Sequence, residues 1–110
     1  MTDIDLSDLV ANMLSAAGDS LKDKWPESKD YAESEFKKIG ETIIFISQEV
    51  LAGRMSEEKT KLHLEMQKNS SKMVLLTLEG LGLLAVEAAI NAALKVVSDT
   101  VNSAIGFALL

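Results

Sequence analysis

Apolar residues recur along this chain at helical spacing, and in two stretches they follow the alternating four- and three-residue steps of a heptad. The first stretch consists of Ala32, Phe36, Ile39, Ile43, Ile46, Val50 and Gly53. This spacing is typical of a helix that lies along a neighbouring helix. It predicts a helix over residues 27–52, which Gly53 ends in a left-handed conformation.

The same helix carries apolar side chains away from this seam. They are Ile44, Phe45 and Leu51. A helix with two apolar faces contacts at least two neighbours. We therefore expect these three side chains to take part in interactions.

The second heptad stretch follows Ser56, a predicted N-cap, and consists of Leu62, Met66, Asn69, Met73 and Leu76. Asn69 is the polar member of this seam, and one polar residue there can fix register or oligomeric state. Alternatively, the sequence Asn69-Ser70-Ser71 marks a local helix break. The spacing does not decide between these two interpretations.

An earlier helix is predicted over residues 3–24, with Thr2 as its N-cap and Gly18 as a weak point. Its apolar stripe consists of Leu6, Val10, Met13, Leu14, Ala17 and Leu21. Pro26 separates it from the second helix, because proline disfavours helical geometry in the residue before it.

Charge falls away in the last third of the chain. Residues 73–110 carry only Glu79, Glu87, Lys95 and Asp99 as charged side chains. Residues 1–72 are therefore predicted to form charged amphipathic helices, and residues 73–110 a largely buried apolar helical part. We expect the chain end to be docked. Contacts with neighbouring helices are expected from Leu83, Ile90, Leu94, Val97, Phe107 and Leu110.

Two glycines, Gly80 and Gly82, interrupt the apolar half. Such a pair marks either a kink or a close approach of two helices. We expect one long bent helix here. The predicted fold is an all-α, single-domain antiparallel bundle of three or four long heptad-patterned helices, associated with itself as a homodimer or higher oligomer.

Composition limits the partners. The net charge is −6, so direct binding of DNA or RNA is not expected. Cysteine is absent, which excludes disulfides and thiolate metal sites, and the acidic start of the chain is unlike a signal peptide. A cytoplasmic location fits these features. Glu79 and Glu87 make residues 73–97 a costly membrane span, so membrane association is possible but not favoured.

Candidate chemistry is sparse. His63 is the only histidine and lacks a Glu-x-x-His partner pattern, while Trp25, Tyr31 and Phe36 are typical of packing at a bundle end. Glu79 is expected to form a salt bridge, with Lys72 or with a lysine of a partner. No catalytic, cofactor or metal residues are predicted, and we do not expect an enzyme.

The sequence favours a non-catalytic structural or assembly protein that contacts itself or another helical protein. Membrane association and a hydrophobic-ligand site behind residues 81–90 remain alternatives. A carboxylate metal bundle is a third, and it would need inward-facing acids such as Glu49, Glu65, Glu79 and Glu87.

Overall fold

Four α-helices follow one another in the computed structural model, which describes residues 4–21, 24–78 and 80–110. They are α1 (Leu6–Leu21), α2 (Trp25–Leu51), α3 (Glu57–Leu76) and α4 (Leu83–Ile105). No strand occurs within those ranges. The prediction of an all-α bundle is confirmed, with four helices.

Successive helices run antiparallel, because short connections join them. On α2 and α3, Thr42 lies opposite Gln67 and Phe45 opposite His63, so residue numbers rise along one helix as they fall along the other. The closest packing joins α1 to α4, and α2 also packs well against both α1 and α3. Contact between α3 and α4 is much sparser. The third helix is therefore attached mainly through α2.

The core is built from the heptad seam of α2 and the inward faces of α1 and α4. In α2, Ala32, Phe36, Ile39, Ile43 and Ile46 are fully buried. Their neighbours in the core are Leu9, Met13, Ala17, Leu21, Val86, Ala89, Ile90, Ala93, Leu94, Val97, Val101 and Ile105. From α3, only Leu64 and Leu75 are buried apolar side chains.

Asp5 caps α1, three residues after the predicted Thr2. Its Oδ1 accepts a hydrogen bond from the Asp8 backbone N–H at 3.1 Å, as an N-cap side chain does. Thr2 and Asp3 lie outside the described residues, as do Lys22 and Asp23 just beyond the helix. Gly18 does not end α1. A Cβ added there would lie 2.9 Å from the Trp25 indole, so glycine allows this close approach.

The connection from α2 to α3 follows the prediction closely. Gly53 has a φ of 74°, its N–H donates to the Val50 carbonyl, and the Arg54 N–H donates to the Glu49 carbonyl. This pair of bonds is a Schellman motif. Ser56 then accepts a hydrogen bond from the Lys59 N–H at 3.2 Å, which confirms it as the N-cap of α3.

The expectation of one bent helix through the glycine pair is wrong. The third helix ends at Leu76, and α4 begins at Leu83. Gly80 has a φ of 87°, a left-handed conformation that cannot continue a right-handed helix. The glycines therefore form a turn between two helices.

The apolar chain end folds back onto α4. After Gly106, the Leu109 and Leu110 N–H groups donate to Asn102 Oδ1 at 2.9 and 3.0 Å. Asn102 Nδ2 donates to the Leu110 carbonyl at 3.3 Å. Phe107, Leu109 and Leu110 pack against the core, so the predicted docking of this segment is confirmed within the chain itself.

Candidate interaction surface

Four of the five heptad positions of α3 face away from the rest of the protein, whereas the fifth, Leu76, is half-buried against the core. Leu62, Met66 and Met73 are 60%, 63% and 69% exposed, and Asn69 between them is also exposed. We call these four residues the α3 stripe. Large apolar side chains are common singly on protein surfaces, but three at heptad spacing on one helix form an ordered apolar face.

The inward face of α3 is narrower and partly polar. It consists of Thr60, Leu64, Ser71 and Leu75, all of which are buried. The Thr60 hydroxyl donates to the Glu57 carbonyl at 2.6 Å, and Ser71 Oγ accepts from Gln67 Nε2 at 3.2 Å. Because both hydroxyls are satisfied within α3, this face can be buried although it offers only two leucines to the core.

Each edge of the α3 stripe faces a different neighbour. On the side of α2, His63 lies beside Phe45, with ring centroids 6.3 Å apart. Phe45 is itself 47% exposed and extends the apolar surface onto α2. On the side of α4, Glu65 and Lys72 border the stripe seven residues apart, which is two turns of the helix.

A groove of about 460 Å³ lies between α3 and α4 and is also lined by Leu109 and Leu110. We call it the α3–α4 groove. Its floor includes the buried side chains Leu64 and Leu94, and Lys61, Lys68 and Lys95 line its sides. Lys68 Nζ lies 3.6 Å from Glu65 Oε2. Basic side chains thus gather at one groove of an acidic protein.

The predicted interaction residues divide into three groups. Exposed residues are Phe45, Leu51, Asn69 and Leu83, and Ile44 is half-buried. By contrast, Ile90, Leu94 and Val97 are buried among core residues and fill the interior of this chain. Phe107 and Leu110 are half-buried against the same core. The buried residues of α4 are thus covered by other residues of this chain. Contacts of the exposed residues with another chain stay predictions.

Sequence reasoning did not single out Leu62, Met66 and Met73 as surface residues. They were assigned to a seam, and the spacing did not tell whether the helix that covers this seam belongs to the same chain or to a partner. A signal was available, since Thr60, Leu64, Ser71 and Leu75 form a second helical face opposite the first. This second face is hard to recognise in the sequence because two of its four residues are polar.

Sequence reasoning also missed a buried acid, Glu35. Its side chain is almost fully buried, and Oε2 accepts a hydrogen bond from Lys38 Nζ at 3.0 Å. Among the described residues, Glu35 Oε1 has no hydrogen-bond partner. A buried carboxylate depends on such a cation, because burial of an unpaired charge is costly.

Glu49, Glu65 and Glu87, three of the acids proposed for a metal bundle, do not meet at one site, although Glu65 and Glu87 line the same small pocket between α3 and α4. Glu49 binds Arg54 Nε at 2.6 Å, and this hydrogen bond raises the pKa of Arg54. Glu65 is exposed, Glu87 lies on α4, and Glu79 with its predicted salt bridge lies outside the described residues. In the part of the chain that the structure describes, no group of three or more acidic or histidine side chains is placed to hold a metal ion.

The aromatic residues near the start of α2 do not form one stacking surface. Trp25 covers Gly18, Phe36 lies in the core, and Tyr31 is exposed. Across residues 4–21, 24–78 and 80–110, no helix has both the length and the apolar character needed to cross a bilayer.

Comparison of the chain with protein-family models, with curated proteins and with solved structures gives no match.

Proposed function

We propose that this protein is a non-catalytic assembly protein that associates with a second copy of itself through the α3 stripe. The observation that supports this most directly is the exposure of Leu62, Met66 and Met73 at heptad spacing. This spacing brings side chains onto the seam of paired helices. A helix that only covered a core would gain nothing from an apolar outer face.

The expected contact is reversible. Full burial of a large apolar side chain contributes about 1.5–3 kcal/mol, so six such side chains from two copies contribute on the order of 10 kcal/mol. Association costs roughly 4–15 kcal/mol in lost freedom and side-chain ordering. The net gain is at most about 6 kcal/mol, so the α3 stripe supports a weak dimer, with a Kd of tens of micromolar or more, which dilution separates.

Light scattering after size exclusion tests this proposal. At concentrations of about 1 mM, well above a Kd of tens of micromolar, the wild type is expected to approach twice the 11.9 kDa mass of one chain. Met66→Gln combined with Met73→Gln is expected to return the mass to one chain. Leu84→Gln with Val96→Gln is the matched control, because both side chains are exposed on α4. A monomeric wild type, or equal dimerisation of both double variants, would contradict the proposal.

A second candidate function rests on the α3–α4 groove. Its volume of about 460 Å³ lies within the range of about 300–1,000 Å³ typical of small-molecule sites. Leucines below and lysines beside the groove favour an unbranched amphiphile with an anionic head group, such as a fatty acid. The carboxylate would pair with Lys68 or Lys95, and the alkyl chain would cover Leu64 and Leu94.

Native mass spectrometry with laurate tests this candidate. A one-to-one complex that Lys68→Gln and Lys95→Gln weaken, and that the control Lys37→Gln leaves unchanged, would support it. No complex, or equal loss in the control, would rule out a specific site in the groove. Sedimentation with anionic liposomes tests membrane association separately, since binding to vesicles without a one-to-one laurate complex would favour a surface contact.

A further inference from the structure

Opposite charges lie on the same edge of the α3 stripe. Glu65 and Lys72 both border it on the side of α4, whereas the edge beside α2 carries His63 and Ser70. The relative direction of two paired helices decides which edges meet. In a parallel pair, the edge of one helix meets the other edge of its partner. In an antiparallel pair related by a two-fold axis, each edge meets its own copy.

We infer that the second copy binds antiparallel, and that the two-fold axis passes between the two α3 helices at the level midway between Gln67 and Lys68. This inference rests on the proposed function. In this arrangement Leu62 lies opposite Met73 of the partner subunit, and Glu65 lies about 3 Å along the axis, two residues, from the position opposite Lys72 of the partner subunit. Symmetry repeats both pairs. One register therefore brings together both the seam pair and the charged pair.

Asn69 is accommodated by the same axis. With 1.5 Å of rise per residue, the two Asn69 side chains are offset by only about 4–5 Å along the helices. Their amides can then hydrogen-bond to each other across the axis. In this register each Asn69 lies opposite Met66 of the partner subunit, and the contact between the two amides spares them burial against apolar side chains alone, which is costly. Asn69 is thus compatible with the proposed dimer.

Parallel pairing lacks this complementarity. Glu65 would then lie near Ser70 of the partner subunit, and Lys72 near Thr77 of the partner subunit. None of these contacts joins opposite charges. The charge pattern therefore favours a second copy in the antiparallel direction, whereas the apolar stripe alone fits either direction.

A charge exchange tests the edge contacts. Glu65→Lys and Lys72→Glu each place like charges together at two symmetric points, so each is expected to weaken the dimer about tenfold by sedimentation equilibrium. The double variant Glu65→Lys/Lys72→Glu is expected to recover wild-type affinity within about threefold. The control Lys37→Glu lies on α2 and is expected to have no effect. Equal losses in both single variants and in the double variant would overturn the inference.

Electron–electron distance measurement tests the direction itself. A spin label on Glu58→Cys, near the start of α3, is expected about 28 Å along the axis from its copy in the antiparallel dimer. Parallel pairing would bring the labels within about 15 Å. A dimer with the short distance would overturn the antiparallel arrangement and leave self-association intact. A protein that stays monomeric would overturn both.

Discussion

The second and third helices carry the same heptad spacing of apolar residues and use it in opposite ways. In α2, the seam through Phe36, Ile39 and Ile43 is fully buried against the other helices. In α3, the stripe through Leu62, Met66 and Met73 is exposed. A periodic pattern therefore predicts a helix face and its geometry. Which surface covers that face depends on the opposite side of the helix.

The opposite sides of the two helices explain the outcome. Opposite its seam, α2 carries the charged residues Asp30, Lys37 and Glu41, together with the exposed Phe45. Opposite its stripe, α3 offers Leu64 and Leu75 with Thr60 and Ser71, whose hydroxyls are hydrogen-bonded within the helix. This inward face of α3 can be buried at little cost. The third helix therefore has two faces that can pack against a neighbour, the inward face and the α3 stripe, whereas α2 has one main core face.

Truncation in the α2 seam is expected to have the largest effect. Ile43→Ala removes fully buried apolar volume and leaves a cavity, so it should lower the free energy of unfolding by about 2–5 kcal/mol. Urea denaturation at submicromolar protein concentration measures this without a contribution from association. A loss below about 1 kcal/mol would show that this seam is not the core.

Truncation on the inward face of α3 is expected to be smaller and more local. Leu75→Ala should cost roughly 2–3 kcal/mol, toward the lower end for buried leucines, because α3 contacts α4 only sparsely. Hydrogen exchange should show amide protection falling in α3 before it falls in α1 and α4. Uniform loss of protection across all four helices would contradict the peripheral attachment of α3.

Removal of the α3 cap is expected to have a moderate effect. Ser56→Ala eliminates the hydrogen bond to the Lys59 N–H and should cost about 1 kcal/mol. Ser70→Ala is the matched control, since this exposed serine lies mid-helix and should change the free energy of unfolding by less than about 0.5 kcal/mol. Equal effects from the two variants would count against the capping role.

Truncation on the α3 stripe is expected to have the smallest effect on the single chain. Met73→Ala should change the free energy of unfolding by less than about 0.5 kcal/mol in dilute solution, because the side chain is already largely exposed. The same denaturation experiment as for Ile43→Ala applies. A loss as large as that of a core substitution would place Met73 inside the fold and remove the contrast between the two helices.

Much of the fold could be predicted from the sequence because local signals agree with each other. The caps at Ser56 and Gly53 and the buried seam of α2 are set by neighbouring residues. The break at Gly80 was missed because two glycines permit both a kink and a turn, and only the backbone angle distinguishes them. Helix propensity alone does not predict that backbone angle.

The candidate surface was harder to predict for a different reason. Two sets of apolar residues recur at helical spacing: Ile90, Leu94 and Val97 in α4, and Leu62, Met66 and Met73 in α3. The spacing does not show whether the residues that cover each set belong to the same chain or to another. That depends on how tightly α4 packs against α1, which is a property of the whole bundle. Asn69 was recognised as an unusual seam residue, but its exposure in the single chain was not.

Oxidation of methionine by hydrogen peroxide at a series of protein concentrations shows whether a second copy covers the α3 stripe. Met66 and Met73 are exposed in the single chain, and Met13 is fully buried, so all three serve as probes in one mass-spectrometric digest. If the α3 stripe is an interface, Met66 and Met73 will oxidise rapidly in dilute protein and up to about tenfold more slowly where nine-tenths of the chains are paired, while Met13 stays protected throughout. If their rates remain fast at every concentration, the α3 stripe is not covered by a second copy, and the proposed self-association is wrong.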